Sequence, residues 1–216
     1  MANASRIGGS VARGDPRAEG PGLEELSKSL APVNDGACDH LSGLQLPSIT
    51  LLSTAGRAVD LAGISGWLVI YCYPMTRRPG QTLPEGWEQI LGAAGCTPQS
   101  CSFRDHFYEL QTLNTQLFGI STQTNEDQLE VVERLHLPFE LLSDTSFKFA
   151  QGLRLPMAEV HGMRLIKRVT LIARDGQVVK YFYPVSQPDK NIDDVLSWLR
   201  KGSHTALACI SDVKRN

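Results

Sequence analysis

Trp67 to Tyr73 reads Trp-Leu-Val-Ile-Tyr-Cys-Tyr, an apolar run with no charge and no turn former. Aromatic and β-branched residues in so short a run suit a strand, and the absence of polar alternation means that both of its faces are covered. A sheet holding such a strand needs a packing layer on each side, which the surrounding segments must supply. The run is also far too short to span a bilayer, which takes about 20 apolar residues.

The flanking segments alternate in type. Ile49 to Ser53 and Ala58 to Leu61, joined by Thr54-Ala55-Gly56-Arg57, predict a hairpin. Ser102 to Leu113 has helical periodicity through Phe103, Phe107, Leu110 and Leu113. Leu117 to Ser121 reads as a second buried strand, and Asn125 to Leu135 as a helix with Thr124 at its N-cap and Asp127 three residues on. Phe139 to Leu142 is short and extended, and Thr145 to Leu153 is helical after the cap candidate Asp144. Arg168 to Ala173 and Val178 to Val185 flank Asp175-Gly176, a strong hairpin signal. Asn191 to Lys201 closes the series as an amphipathic helix, with Asp189 as its N-cap. A parallel βαβ segment followed by an antiparallel hairpin predicts an α/β fold, a mixed central sheet flanked by helices. That order fits the thioredoxin-like fold, among others.

A chain of 216 residues suits one domain with a substantial core. Residues 1–40, with three Gly-rich or Gly-Pro clusters, read as a flexible N-terminal extension in which Leu23 to Leu30 can form a short helix. The folded domain is expected over 41–201, and 202–216 as a flexible tail. A net charge of -2 points away from nucleic acid and from a membrane surface. No apolar stretch near the N-terminus resembles a signal peptide, so the cytoplasm is the default location, with an organelle transit peptide the alternative raised by a few early arginines.

Five cysteines at irregular spacing (Cys38, Cys72, Cys96, Cys101 and Cys209) argue against a secreted disulfide framework. With no C-x-x-C pair and scattered histidines, a structural zinc site is not expected either. The informative pair is Cys96 and Cys101. Pro98 suits the first turn of the helix that follows, which puts Cys96 at the helix N-terminus, where unpaired N–H groups and the helix dipole favour a thiolate. Within one regular helix the two Cα atoms are about 8.6 Å apart and the side chains about 140° apart around the axis. A disulfide needs Cα atoms within about 7 Å, so a bridge requires the first turn or two to unwind. From spacing alone, two buried helix cysteines are the simpler reading.

The neighbouring residues change that balance. "GCTPQSCSFRD" (Gly95 to Asp105) closely resembles the "PGCTxEACxFRD" signature of the Q-type peroxiredoxins, or bacterioferritin comigratory proteins. "YCYP" (Tyr71 to Pro74) is similar to their "YFYP", "FGIST" (Phe118 to Thr122) to "IGIS", "LPFELLSD" (Leu137 to Asp144) to "LPFxLLSD", and "KRVTLIARDG" (Lys167 to Gly176) to "xRxTFLIDxDG". The resemblance covers about residues 41–200. It implies a thiol peroxidase acting on hydrogen peroxide and organic hydroperoxides. Cys96 is then the peroxidatic cysteine and Cys101 the resolving one, closing an intramolecular disulfide that thioredoxin or a similar dithiol reduces. Arg168 matches the arginine that stabilises the thiolate, and Pro74 the proline that shields it. No cofactor is implied, and either a monomer or a homodimer is workable. The alternatives on the same fold are a thiol–disulfide oxidoreductase, which the absence of C-x-x-C disfavours, and a redox sensor that does not turn over.

One stretch departs from the pattern. Peroxiredoxins commonly place a Thr three residues before the nucleophile, whereas position 93 is Ala and Cys96 lies 22 residues after Pro74. The Thr position keyed to Pro74 holds Arg78, and the segment 81–95 is inserted before Cys96. Thr76 is the preferred source of the missing hydroxyl, with Thr82 and Thr97 as alternatives. The insertion reads either as a surface loop or as a lid shaped by Trp87, Leu91, Arg77 or Arg78. Cys72 is expected to be a small core residue, and Cys38 and Cys209 to be incidental in the loose ends, although either could join an intermolecular disulfide. His106 is assigned no role.

Overall fold

The computed structural model describes residues 30–80 and 93–213, with side chains to Gly202. Trp67–Cys72 (β3) is an interior strand, fifth in the order of a seven-stranded sheet. It pairs parallel with Thr115–Ser121 (β4) and antiparallel with Val169–Arg174 (β8). On one side the sheet continues through Glu140–Ser143 (β5), parallel to β4, and then through the hairpin Thr50–Ser53 (β1) and Ala58–Asp60 (β2). On the other it ends at Gln177–Phe182 (β9), antiparallel to β8. The sheet is therefore mixed, as expected.

β3 divides its side chains between two cores with the strand period of two. Leu68, Ile70 and Cys72 enter one apolar cluster, together with Leu51, Leu142, Phe149 and Leu171. Val69, Tyr71 and Tyr73 enter the other, with Phe103, Leu110, Val131 and Val195. The second cluster is roofed by helices Cys96–Asp105 (α1), Phe107–Thr112 (α2), Asn125–Leu135 (α3) and Asn191–Val213 (α5). Lys148–Gly152 (α4) and the segment around Cys38 to Leu46 cover the first. Residues 43–46 also bond to the outer edge of β9, with Val178 N–H donating to the Leu44 carbonyl at 2.8 Å, which closes an edge otherwise open to another strand.

Local signals set the element ends. Thr124 Oγ1 accepts from Asp127 N–H at 3.2 Å and donates to its carboxylate at 2.7 Å, capping α3. The buried Asp144 carboxylate accepts from Phe149 and Ala150 N–H at 3.2 and 2.9 Å, so it starts α4 from four residues upstream. Asp175 and Gly176 take φ of 49° and 79°, the paired positive values of a tight hairpin turn.

Several expectations are corrected. The helix starts at Cys96, as the placing of Pro98 in its first turn predicts and six residues before the periodic run from Ser102, but it breaks at His106, which leaves helical geometry at φ -106°, ψ 9°. Asp189 is not the cap of the last helix. It lies inside a 3-10 turn, Pro188–Lys190, and α5 starts at Asn191. A two-stranded sheet, Met157–Val160 (β6) with Met163–Ile166 (β7), lies where no strand was expected; each strand is too short to show periodicity, and only the His161-Gly162 turn marks them. Leu30 and Cys38 are buried at 7 % and 0 % exposure, so the N-terminal extension after residue 29 is packed at these two positions, while residues 33–36 between them stay exposed. At the other end α5 runs to Val213, well past the expected stop at 201. One helical Gly, at about 1 kcal/mol, does not outweigh the good helix formers Ala206, Leu207 and Ala208 in the sequence that follows.

Candidate active site

Cys96 opens α1 directly after a 3-10 turn, Ala93–Gly95. Its thiol therefore sits where the first N–H groups of a helix lack intrahelical partners. Only 2 % of the residue is exposed. Arg168, one residue before β8, reaches it across the chain and donates from Nη2 to Sγ at 3.2 Å. Gly95 makes that approach feasible. A Cβ at this position would stand 3.0 Å from Arg168 Nη2 and 2.5 Å from Pro188 Cγ.

The guanidinium is fixed from its other side. Nη1 donates to Gln99 Oε1 at 2.6 Å, Gln99 Nε2 donates to Asn191 Oδ1 at 3.0 Å, and Thr170 Oγ1 donates to the same oxygen at 2.6 Å. Gln99, Asn191 and Thr170 are at most 2 % exposed, and Arg168 7 %. Arginine has only donors, so it dictates which way the Gln99 amide faces, and Gln99 in turn orients Asn191. A buried cation braced in this way by Gln99 is held for interaction with an anion beside it.

Aromatic packing sets the height of α1 above the sheet. Tyr71 stacks on Phe103 at 4.7 Å between ring centroids, and its hydroxyl lies 3.1 Å from Ser100 Oγ. The ring fits because β4 presents Gly119 opposite it, where a Cβ would come within 2.6 Å of Tyr71 Cζ. At the far end of the helix, Ser102 Oγ donates to the Asp189 carbonyl at 2.5 Å and Arg104 Nη1 to the Leu135 carbonyl at 2.8 Å. Cys101 is partly buried further along α1, with the Arg104 side chain hydrogen-bonded beside it, and Cys96 and Cys101 are not joined in a disulfide.

A model of the redoxin family matches residues 41–196. Peroxiredoxin Q of Oryza sativa subsp. japonica, named chloroplastic, is 32 % identical over 166 residues, spanning 76 % of this chain and 69 % of the relative. The chain belongs to the redoxin family as a Q-type peroxiredoxin. The chloroplastic peroxiredoxin Q of Sedum lineare is 28 % identical, over 71 % of this chain and 75 % of its own. Among solved structures, peroxidoxin BcpB of Mycobacterium tuberculosis superposes with a TM-score of 0.61 at 24 % identity, covering 74 % of this chain and 96 % of that one. The bacterioferritin comigratory protein of Xanthomonas campestris gives 0.58 at 20 % identity, over 81 % and 98 %. Their likeness is one of fold, and it agrees with the mixed, helix-flanked sheet described above. Membership makes the protein a thiol-dependent peroxidase.

Within this peroxiredoxin, Pro74 is buried and lines a small cavity together with Arg168. Thr76 is 3 % exposed; its hydroxyl donates to Gln123 Oε1 at 3.1 Å while Gln123 Nε2 donates to the Thr76 carbonyl at 3.0 Å, bracing the loop after Pro74. Thr97 follows Cys96 in α1, partly buried. Thr82, Trp87 and Leu91 lie outside the described residues. Arg78 turns toward α3, with Nη2 at 3.6 and 3.9 Å from the Glu126 and Asp127 carboxylates.

The remaining cysteines divide clearly. Cys72 is a fully buried core residue, its thiol pushed far up by desolvation. Cys38 is equally inaccessible rather than loose; burial first, then the Asp35 and Asp39 charges, push its thiol up to about 12, so it is no candidate for an intermolecular disulfide. Cys209 falls in α5 beyond the described side chains. Gln99, Asn191 and Thr170 are what sequence reasoning missed. Gln99 stands where the family signature has Glu, and that mismatch is the one signal that could have drawn attention to it. Among the described residues, no group of three acids, histidines or cysteines could hold a metal ion, and no helix is long and apolar enough to cross a membrane.

Proposed function

We propose that Cys96 is the peroxidatic nucleophile, that Arg168 activates it, and that Cys101 resolves its oxidised form for reduction by a thioredoxin-type dithiol. The observation carrying this reading is the Arg168 Nη2 to Cys96 Sγ contact of 3.2 Å at the start of α1. The guanidinium charge and the helix end both favour a thiolate over a thiol. The same donors favour the negative charge that develops on the departing peroxide oxygen.

In the first step the Cys96 thiolate attacks one peroxide oxygen. An S–O bond forms, the O–O bond breaks, and the leaving oxygen takes up a proton as water or an alcohol. Sulfur is oxidised by two electrons to sulfenic acid. In the second step the Cys101 thiolate attacks that sulfur; an S–S bond forms and the sulfenic oxygen departs as water after protonation. A dithiol donor then restores both thiols by exchange.

Both cysteines lie in α1, so bridging requires its first turns to unwind. The bonds given up are those of Gln99 to Arg168 and Asn191, and of Ser100 to Tyr71. Phe103, fully buried beyond Cys101, can keep the rest of the helix in place. With 2 % exposure, Cys96 suits a small peroxide far better than a protein disulfide, which argues against the oxidoreductase alternative.

Mass spectrometry after one equivalent of hydrogen peroxide should find a Cys96–Cys101 disulfide. With thioredoxin, thioredoxin reductase and NADPH, Cys96→Ser should consume no peroxide and Cys101→Ser only a first burst. Sustained thioredoxin-supported turnover by Cys101→Ser would remove the resolving role.

A further inference from the structure

We propose that Leu30 to Pro32 form a strap that sets which peroxides reach Arg168 and Cys96, admitting hydrogen peroxide and excluding bulky organic hydroperoxides. The inference rests on the reading of Cys96 and Arg168 given above. A cavity of about 20 Å³ is lined by Leu30, Ala31 and Pro32 together with Pro74, Arg168 and Pro184. A space of that size holds about one water-sized molecule. It leaves no room for an aryl or long alkyl substituent. Its walls are mainly apolar, and the guanidinium among them is the one that touches Cys96 Sγ. Inside such walls its donors are worth more to a peroxide oxygen than they are in water.

The strap is tied down at both ends. Leu30, 7 % exposed, packs into an apolar cluster with Ala158, Val160 and Leu165, all on β6 and β7. This gives that unexpected hairpin a purpose: it is the anchor for the strap. Downstream, the Asp35 carboxylate accepts from the Tyr183 hydroxyl at 3.4 Å and lies 3.8 Å from Lys167 Nζ. Lys167 and Tyr183 also line the cavity, so the tie is made to its own rim. Pro32 between the anchors, and Pro74 and Pro184 elsewhere in the lining, contribute rings of fixed φ, which makes the walls stiff. Widening the entrance therefore means displacing the strap.

The test uses the full chain and rates of Cys96 oxidation in the reduced protein, compared as kcat/KM for hydrogen peroxide and for cumene hydroperoxide. Wild type should prefer hydrogen peroxide. Leu30→Asp, which puts a carboxylate into the apolar anchor, should shift the ratio toward cumene hydroperoxide by about tenfold or more, the scale on which an apolar wall discriminates by size. Pro32→Gly, which leaves the anchor intact and loosens the wall, should shift it in the same direction and serves if Leu30→Asp fails to fold. A wild type that prefers cumene hydroperoxide, or a ratio unmoved in the folded variants, overturns the strap. Failure of the underlying site reading looks different, because Cys96→Ser would then consume either peroxide as well as wild type does.

Discussion

Replacing Gln99 by Leu separates what Arg168 contributes by its charge from what it contributes by its direction. Gln99 is fully buried, and its Oε1 accepts from Arg168 Nη1 at 2.6 Å. Leu is close to it in volume, so little cavity or overpacking cost is added. What is lost is a buried hydrogen bond to a charged donor, worth about 1.5–3 kcal/mol, and a neutral one to Asn191, worth about 1 kcal/mol. The second loss is softened because Asn191 Oδ1 keeps the Thr170 hydroxyl at 2.6 Å. Stability of the reduced protein should therefore fall by about 2–4 kcal/mol, read as a shift in urea midpoint at constant m. The guanidinium keeps its charge but no longer has its aim fixed, so the second-order rate with hydrogen peroxide, followed by stopped flow, should drop about 10- to 100-fold, or roughly 1.4–2.7 kcal/mol at the transition state. Gln99→Glu returns an acceptor facing Arg168, with the residue found in the family signature, and should recover most of the rate. A Gln99→Leu protein that loses stability while reacting at the wild-type rate would refute the claim that this network aims Arg168, as would Gln99→Glu performing no better than Leu.

Two further expectations follow from the packing and the charge pairs. Gly119→Ala should cost about 1–3 kcal/mol by overpacking, since its Cβ would meet Leu141 Cδ2 at 2.5 Å and Tyr71 Cζ at 2.6 Å; urea unfolding measures it, and a neutral result would mean that Tyr71 can shift freely under α1. Glu140 ties β5 to the β1–β2 turn through Arg57 at 2.7 Å and through the Ser53 hydroxyl. Partial burial pushes its carboxyl up, but the Arg57 and Ser53 hydrogen bonds outweigh that and hold it below its ordinary 4.5. Because the folded value is the lower one, the stabilisation is present above the unfolded value and is lost as pH falls through the folded one. Urea midpoints between about pH 3 and pH 7 should accordingly fall less steeply toward acid in Glu140→Gln than in wild type, and identical slopes would dismiss the pair as a source of acid sensitivity.

The buried strand at Trp67, both of the turns flanked by strands in the sheet, the cap at Thr124, and the two cysteines of α1 were all legible in the chain before folding. Each depends on interactions within a few residues: a strand period of two, a positive-φ turn, a side-chain oxygen reaching the next helical turn. The cysteine pair was legible for the same reason, together with the family signature around it. Where sequence reasoning failed, the local signal was short or ambiguous, as in the four-residue strands β6 and β7 and the break of the Cys96 helix at His106. Cys38 lay in a segment whose composition suggested no core, and its burial depends on a sheet face that only the assembled fold supplies.

The opening run at Trp67 thus determined by itself that a two-sided sheet must exist, and the Cys96–Cys101 spacing determined that any bridge between them must unwind a helix. The family resemblance had already singled out Arg168, but only the tertiary structure decided how it is aimed at Cys96 and what braces it. Arg168 meets Cys96 across 72 positions, Gln99 meets Asn191 across 92, and no periodicity operates over such distances. Those contacts arise because β8 inserts beside β3 while α1 and α5 pack over the same face, so the partners of the reactive sulfur are set by strand order and helix placement.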